Sequence, residues 1–233
     1  MLVWQRLAGG LETDLTREAT LTGSDSSVVR VEAGVVYAVA EGLAKVRVEA
    51  AGRVVVIDVA VGPRLRDERL SFVADVLPIL GRTGCNSGRC HAKPKGQNGF
   101  SLSVFAYDPA SDYKEIVKDE RGRRVFPALP VESLVLQKPT LAVEHEGGKR
   151  LEPGSPFYRV MHDWIAQGML YQRPGETKLE GISIFPVESR HAKGALQQLA
   201  VTAQFSDGST RDVTHLAEFT SNEKEIAEVD EHG

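Results

Sequence analysis

Apolar and polar residues alternate in short runs along the first quarter of the chain. Val29-Arg30-Val31-Glu32, Val35-Val36-Tyr37-Ala38-Val39, Ala44-Lys45-Val46-Arg47-Val48 and Val54-Val55-Val56-Ile57-Asp58-Val59 are rich in β-branched residues, with Gly34, Gly42 and Gly52 between them. This pattern predicts short strands joined by glycine turns, so residues 1–62 read as a small all-β sandwich. The period then changes. After the charged run Arg64-Leu65-Arg66-Asp67-Glu68-Arg69, the apolar residues Leu70, Phe72, Val73, Val76, Leu77 and Leu80 recur at helical spacing, and Ser71 stands where an N-cap belongs. Ser133–Lys138 reads as a short helix. A longer one is predicted to start at Ser155-Pro156, a cap followed by a first-turn proline, and to run through Phe157, Val160, Met161, Trp164 and Ile165 to Gly168.

The two ends of the chain resemble each other. Gly10-Leu11-Glu12-Thr13-Asp14-Leu15-Thr16 matches Gly208-Ser209-Thr210-Arg211-Asp212-Val213-Thr214, and the stretch from Ser26 to Gly34 matches Glu223 to Gly233 with a short insertion. This is an internal repeat. The first copy lacks the leading Ile182-Ser183-Ile184-Phe185-Pro186 of the second, and the second stops where the first continues for three strands. A sheet that is short of strands exposes an edge. Two readings follow: the partial modules complement each other, within one chain or as a dimer, or they are the cut ends of a longer string of modules.

Composition narrows the partners. A length of 233 residues suits two or three small domains, with boundaries placed at 1–62, 63–181 and 182–233. The net charge of −4 gives no global basic field for nucleic acid or an anionic membrane, and no apolar run reaches the roughly 20 residues of a membrane span. Met1 leads straight into Leu2-Val3-Trp4-Gln5-Arg6 rather than an export signal, so the expectation is a mature or excised portion of a longer protein.

Both cysteines lie in Gly84-Cys85-Asn86-Ser87-Gly88-Arg89-Cys90-His91. Two close thiols mark a site rather than a disulfide scaffold. Cys-x-x-Cys-His attaches a c-type haem, the thiols adding to the two vinyl groups while the imidazole binds iron. Here four residues separate the cysteines, so the two extra must bulge, and Asn86 and Gly88 tolerate the backbone angles a bulge needs. The residues alone leave three readings open: haem attachment, a disulfide, or half of a metal site.

The flanking sequence favours the first. Phe72-Val73-Ala74-Asp75-Val76-Leu77-Pro78-Ile79-Leu80, Gly96-Gln97-Asn98-Gly99-Phe100, Gly122-Arg123-Arg124-Val125-Phe126-Pro127 and His145-Glu146-Gly147-Gly148-Lys149-Arg150 resemble a family of cytochrome c-like domains abundant in planctomycetes. The repeats resemble bacterial immunoglobulin-like group 2 modules, which often flank that domain. The resemblance implies a mainly α cytochrome c-like haem domain between two partial all-β immunoglobulin-like sandwich modules, with one covalent haem c per chain. It implies an electron carrier inside a larger exported protein, in the periplasm or another extracytoplasmic space, serving a redox partner protein or other domains of its parent chain. The alternatives are a haem enzyme with an open or labile distal site and a structural or adhesion module with a Cys85–Cys90 disulfide.

In small c-type cytochromes the distal ligand comes from a loop before the last helix, and here that loop holds His145. The resemblance thus implies iron between His91 and His145, with Met161 and Met169 as alternatives and His162 behind them. Lys149 and Arg150 are candidates to pair with the haem propionates. Arg121, Arg123 and Arg124 form a basic cluster that reads as a solvated turn, as further partners for the propionates or as a dock for an acidic partner. Phe100, Leu102, Val104, Phe105 and Tyr107 are expected to wall the cleft. No Ser/His/Asp or Cys/His catalytic spacing is present, and no catalytic residue is assigned.

Overall fold

The computed structural model describes residues 1–6, 12–32, 34–63 and 69–233. Gly10 and Leu11 of the first repeat, Ala33 and the charged run 64–68 lie outside the described residues. The opening strands are β1 (Trp4–Arg6), β2 (Glu12–Asp14), β3 (Thr20–Gly23), β4 (Val29–Glu32), β5 (Val35–Ala38), β6 (Gly42–Ala50) and β7 (Arg53–Val61). They pair as β1-β2, β3-β6-β7 and β4-β5, all antiparallel. The alternation read from the sequence places Ala44, Val46 and Val48 of β6 inward, where they close a small core with Val28 and Val29. On β7, Val54, Val55, Val56 and Ile57 stay exposed, while Val59 and Val61 pack partly against that core.

Four α-helices follow: α1 (Leu77–Arg82), α2 (Pro109–Val117), α3 (Leu134–Thr140) and α4 (Pro156–Ala166). Ser71 caps a π-helical turn over Phe72–Val76 that leads into α1, its hydroxyl accepting from the Ala74 N–H at 3.2 Å. Ser155 caps α4 by accepting from the Tyr158 N–H. The strands β8 (Leu179–Phe185), β9 (Ala200–Phe205) and β10 (Thr210–Asp212) form a last antiparallel sheet in the order β10-β9-β8.

These elements correct the expected fold class. Helix makes up 23% and strand 25% of the chain, so the protein is a mixed assembly of several small sheets with short helices and not one organised around a mainly α cytochrome c-like domain. The predicted helices exist, but they run for only 6 to 11 residues and long turn-rich segments separate them. Apolar periodicity locates such helices without revealing how little chain lies in them.

The repeat is visible in the backbone. Asp14 accepts from the Thr16 N–H at 2.7 Å and Asp212 from the Thr214 N–H at 2.9 Å. The Thr16 hydroxyl then takes the Val3 N–H, as the Thr214 hydroxyl takes the Val201 N–H. The two copies touch within one chain. Asp14 accepts from Gln197 and from the Gln198 N–H, Trp4 meets Phe185 edge-on, and Arg17 pairs with Asp230 at 3.2 Å.

The helices share the main core, where Phe72, Ile116, Leu136, Met161, Trp164 and Ile165 are fully enclosed. The chain leaving α4 doubles back against the entry to the π turn, with the Phe72 N–H donating to the Leu170 carbonyl. Arg173 locks this return by pairing with Asp75 at 2.7 Å and with Glu176, which also accepts from Ser71. Asp112 of α2 is buried and accepts from the Ser103 N–H at 2.5 Å and the Ser103 hydroxyl at 2.7 Å.

Burial raises the Asp112 pKa above its ordinary 3.8 despite those bonds. The folded chain therefore holds this proton more tightly than the unfolded chain. The resulting stabilisation is full below the ordinary carboxylate value and is lost as pH rises through the raised one. An Asp112→Asn variant does not titrate there. In urea unfolding, wild type is expected to lose stability relative to the variant as pH climbs from about 4, and a pH-independent gap would refute the assignment.

Candidate functional site

The cysteine loop starts where α1 ends. Thr83 turns its hydroxyl back to the Ile79 carbonyl, Gly84 takes a left-handed φ of 74°, and the Cys85 N–H donates to the Leu80 carbonyl. The His91 N–H reaches the Cys85 carbonyl at 3.1 Å and closes the five intervening residues into a compact loop. Gly84, just before the first cysteine, is the left-handed residue of this stretch. Asn86 is buried with ordinary φ, and Gly88 is exposed. Cys85 and Cys90 are unpaired thiols. Burial pushes the Cys85 thiol pKa up, and its sulfur lies 3.2 Å from the Thr83 hydroxyl.

A cavity of about 760 Å³ opens against this loop, within the roughly 300–1,000 Å³ of cofactor pockets. Cys85, Cys90, His91, His145, Arg150 and Met161 all line it. The two imidazole rings are near parallel, 10° apart, with centres separated by 6.3 Å. His91 Nδ1 is bonded to the Phe100 carbonyl at 3.2 Å, and His145 Nδ1 to the Gly148 carbonyl at 2.9 Å. A carbonyl partner fixes the proton on Nδ1 and leaves the Nε2 lone pair as the ligating atom. Burial holds His91 below the usual imidazole pKa, which keeps that lone pair available at neutral pH.

The two rings are stacked, and both reach the same cavity. Among the described residues no group of three or more His, Cys, Asp or Glu side chains converges as a bare-ion site.

Arg124 supports the His91 side of the cavity, a role the sequence did not suggest. Expected in a solvated basic turn, it is 7% exposed. It donates to the Gly99 and Glu115 carbonyls at 2.6 Å, pairs with the Glu115 carboxylate at 3.3 Å, and lies over the Phe100 ring. It thereby fixes the residue whose carbonyl orients His91. Gly96 fits beneath the same carbonyl: its φ is +61°, and a Cβ there would sit 2.1 Å from the Phe100 oxygen. On the other wall, Gly147 leaves room for the His145 ring, since a Cβ would lie 2.8 Å from it.

Several expected site residues fall elsewhere. Lys149 pairs with Glu152 at 2.5 Å and is not in the cavity wall. Arg150 is in the wall, its Nε donating to the Gly147 carbonyl, and Lys138 joins it from α3. Met161 lines the cavity from the core side, whereas Met169 sits past α4 with its carbonyl accepting from Tyr113. His162 is bonded to Asp163, away from the cavity. Of the expected apolar wall only Phe100 faces the cavity. Leu102 belongs to the main core, while Val104, Phe105 and Tyr107 are exposed.

No protein-family model, curated protein or solved structure matches this chain. Among the described residues no helix is long and apolar enough to cross a membrane.

Proposed function

We propose that this chain binds one covalent haem c and carries electrons. The observation behind the reading is the His91–His145 pair: near-parallel rings 6.3 Å apart in one cavity, each with Nδ1 bonded to a backbone carbonyl. Cys85 and Cys90, unpaired and in the same wall, would supply the thioether links. Arg150 and Lys138 would take the propionates, since both bring a cation to the wall without a carboxylate partner among the described residues.

Bound there, haem iron would supply a one-electron couple, at the lower potential that two imidazoles favour over a His/Met pair. The chain's own residues orient the two ligands, exclude water through Phe100 and Met161, and hold both thiols near one edge of the cavity. Electrons would pass to or from another protein or another domain of a larger chain. Because attachment joins haem to reduced thiols after export, the proposed compartment is the periplasm or a similar extracytoplasmic space.

Production with haem-maturation machinery tests this directly. A Soret band that survives denaturation, with the added mass of one haem, is expected, and the absence of both overturns the reading. The distal ligand is tested separately. His145→Ala should keep the covalent haem but bind carbon monoxide or cyanide rapidly in the resting protein, with altered ligand-sensitive bands. Met161→Leu should leave the spectrum in place. The reverse pattern would move the distal ligand to Met161.

A further inference from the structure

The cavity wall carries more positive charge than a haem can use. Arg89, Lys93, Arg123, Lys138 and Arg150 all line it, and none forms an ion pair among the described residues. Arg124, the sixth cation of the wall, is already paired with Glu115. The carboxylates of the wall are Glu144 and Glu146, and Glu146 is bonded to the neutral amide of Gln97. This concentration occurs in a chain whose net charge is −4, so it is a local reversal of sign and not a share of a basic surface. Two propionates would engage two of these cations. Arg89, Lys93 and Arg123 remain, with Arg89 and Arg123 exposed.

We infer that the mouth of this cavity is a docking face for an acidic partner protein, an inference that rests on the haem reading for its count of spare charges. Unpaired cations grouped on one wall create a field that steers an oppositely charged surface into register. Their position at the rim would bring that surface beside the cysteine loop and the haem edge it holds. A partner with a carboxylate-rich face fits this wall, whereas a basic one would be repelled. The face would act chiefly on the rate and salt dependence of encounter.

Flavodoxin, an acidic carrier protein, serves as the probe, with citrate as a small polyanion and binding followed by thermophoresis. Affinity for flavodoxin is expected to fall about tenfold or more between roughly 20 and 200 mM salt, as the Debye length shortens. Lys93→Glu with Arg123→Glu should weaken it about tenfold at low salt. Arg53→Glu, a single charge reversal on β7, should change it less than twofold. Salt-independent binding, equal effects of all the reversals, or binding of citrate but not flavodoxin would each overturn the docking face. Haem content, read from the Soret band and mass of the same samples, separates the two readings. Salt-sensitive docking without haem would sink the haem reading alone, and haem without such docking would sink this inference alone.

Discussion

Under the proposed function, replacing Cys85 and Cys90 together by alanine is expected to abolish covalent haem attachment completely. With no thiol to add across a vinyl group, any pigment held between His91 and His145 would leave in acid–acetone, and the chain would run at its bare mass after denaturation. Each single replacement should leave one thioether and a visibly shifted reduced spectrum. The fold should tolerate these changes. Cys85 is partly buried against the main core and Cys90 partly exposed, so each substitution costs about 1 kcal/mol, and far-ultraviolet circular dichroism should be preserved. Haem still covalently bound to the double variant would place the attachment elsewhere.

Trp164→Ala should produce the largest loss of stability of any single change in the main core. The indole is 0% exposed and packs against Phe72 with ring centres 5.7 Å apart. Emptying such a site costs about 3–5 kcal/mol, a large part of the roughly 5–15 kcal/mol that holds a domain together. Its Nε1 donates to the Leu170 carbonyl at 3.0 Å, but that oxygen also accepts from the Phe72 N–H, so no buried acceptor is orphaned. Trp164→Phe should therefore lose only about 1–2 kcal/mol, part hydrogen bond and part volume. Urea midpoints measured at unchanged m give both values. A loss under about 1 kcal/mol for the alanine variant would refute the placement of Trp164 at the centre of the core.

What could be read from the sequence was what local pattern controls. The alternation in β4 to β7, the Ser71 and Ser155 caps and the repeated Asp-x-Thr turns all reappear in the structure. The overall class is not legible there, because periodicity marks where a helix lies and not how much chain surrounds it with turns. Within the site, His145 was identifiable by its place before α4, and the structure sets its ring beside that of His91. Lys138 could not be found that way, since it reaches the cavity only through the packing of α3. Arg124 looked like one of three equivalent surface arginines. Its burial depends on Phe100 and the Gly99 carbonyl, both more than twenty residues away in the chain.

Gly96 contributes no side chain to the cavity, yet it controls the oxygen that aims His91. An inherited change there would twist the imidazole without touching a ligand, a thiol or a charge. The memory of this pocket in a lineage would therefore be kept partly by a residue with nothing to show for it. A descendant that retained Cys85, Cys90 and both histidines but gained a methyl group at position 96 would carry the motif and have lost its bearing.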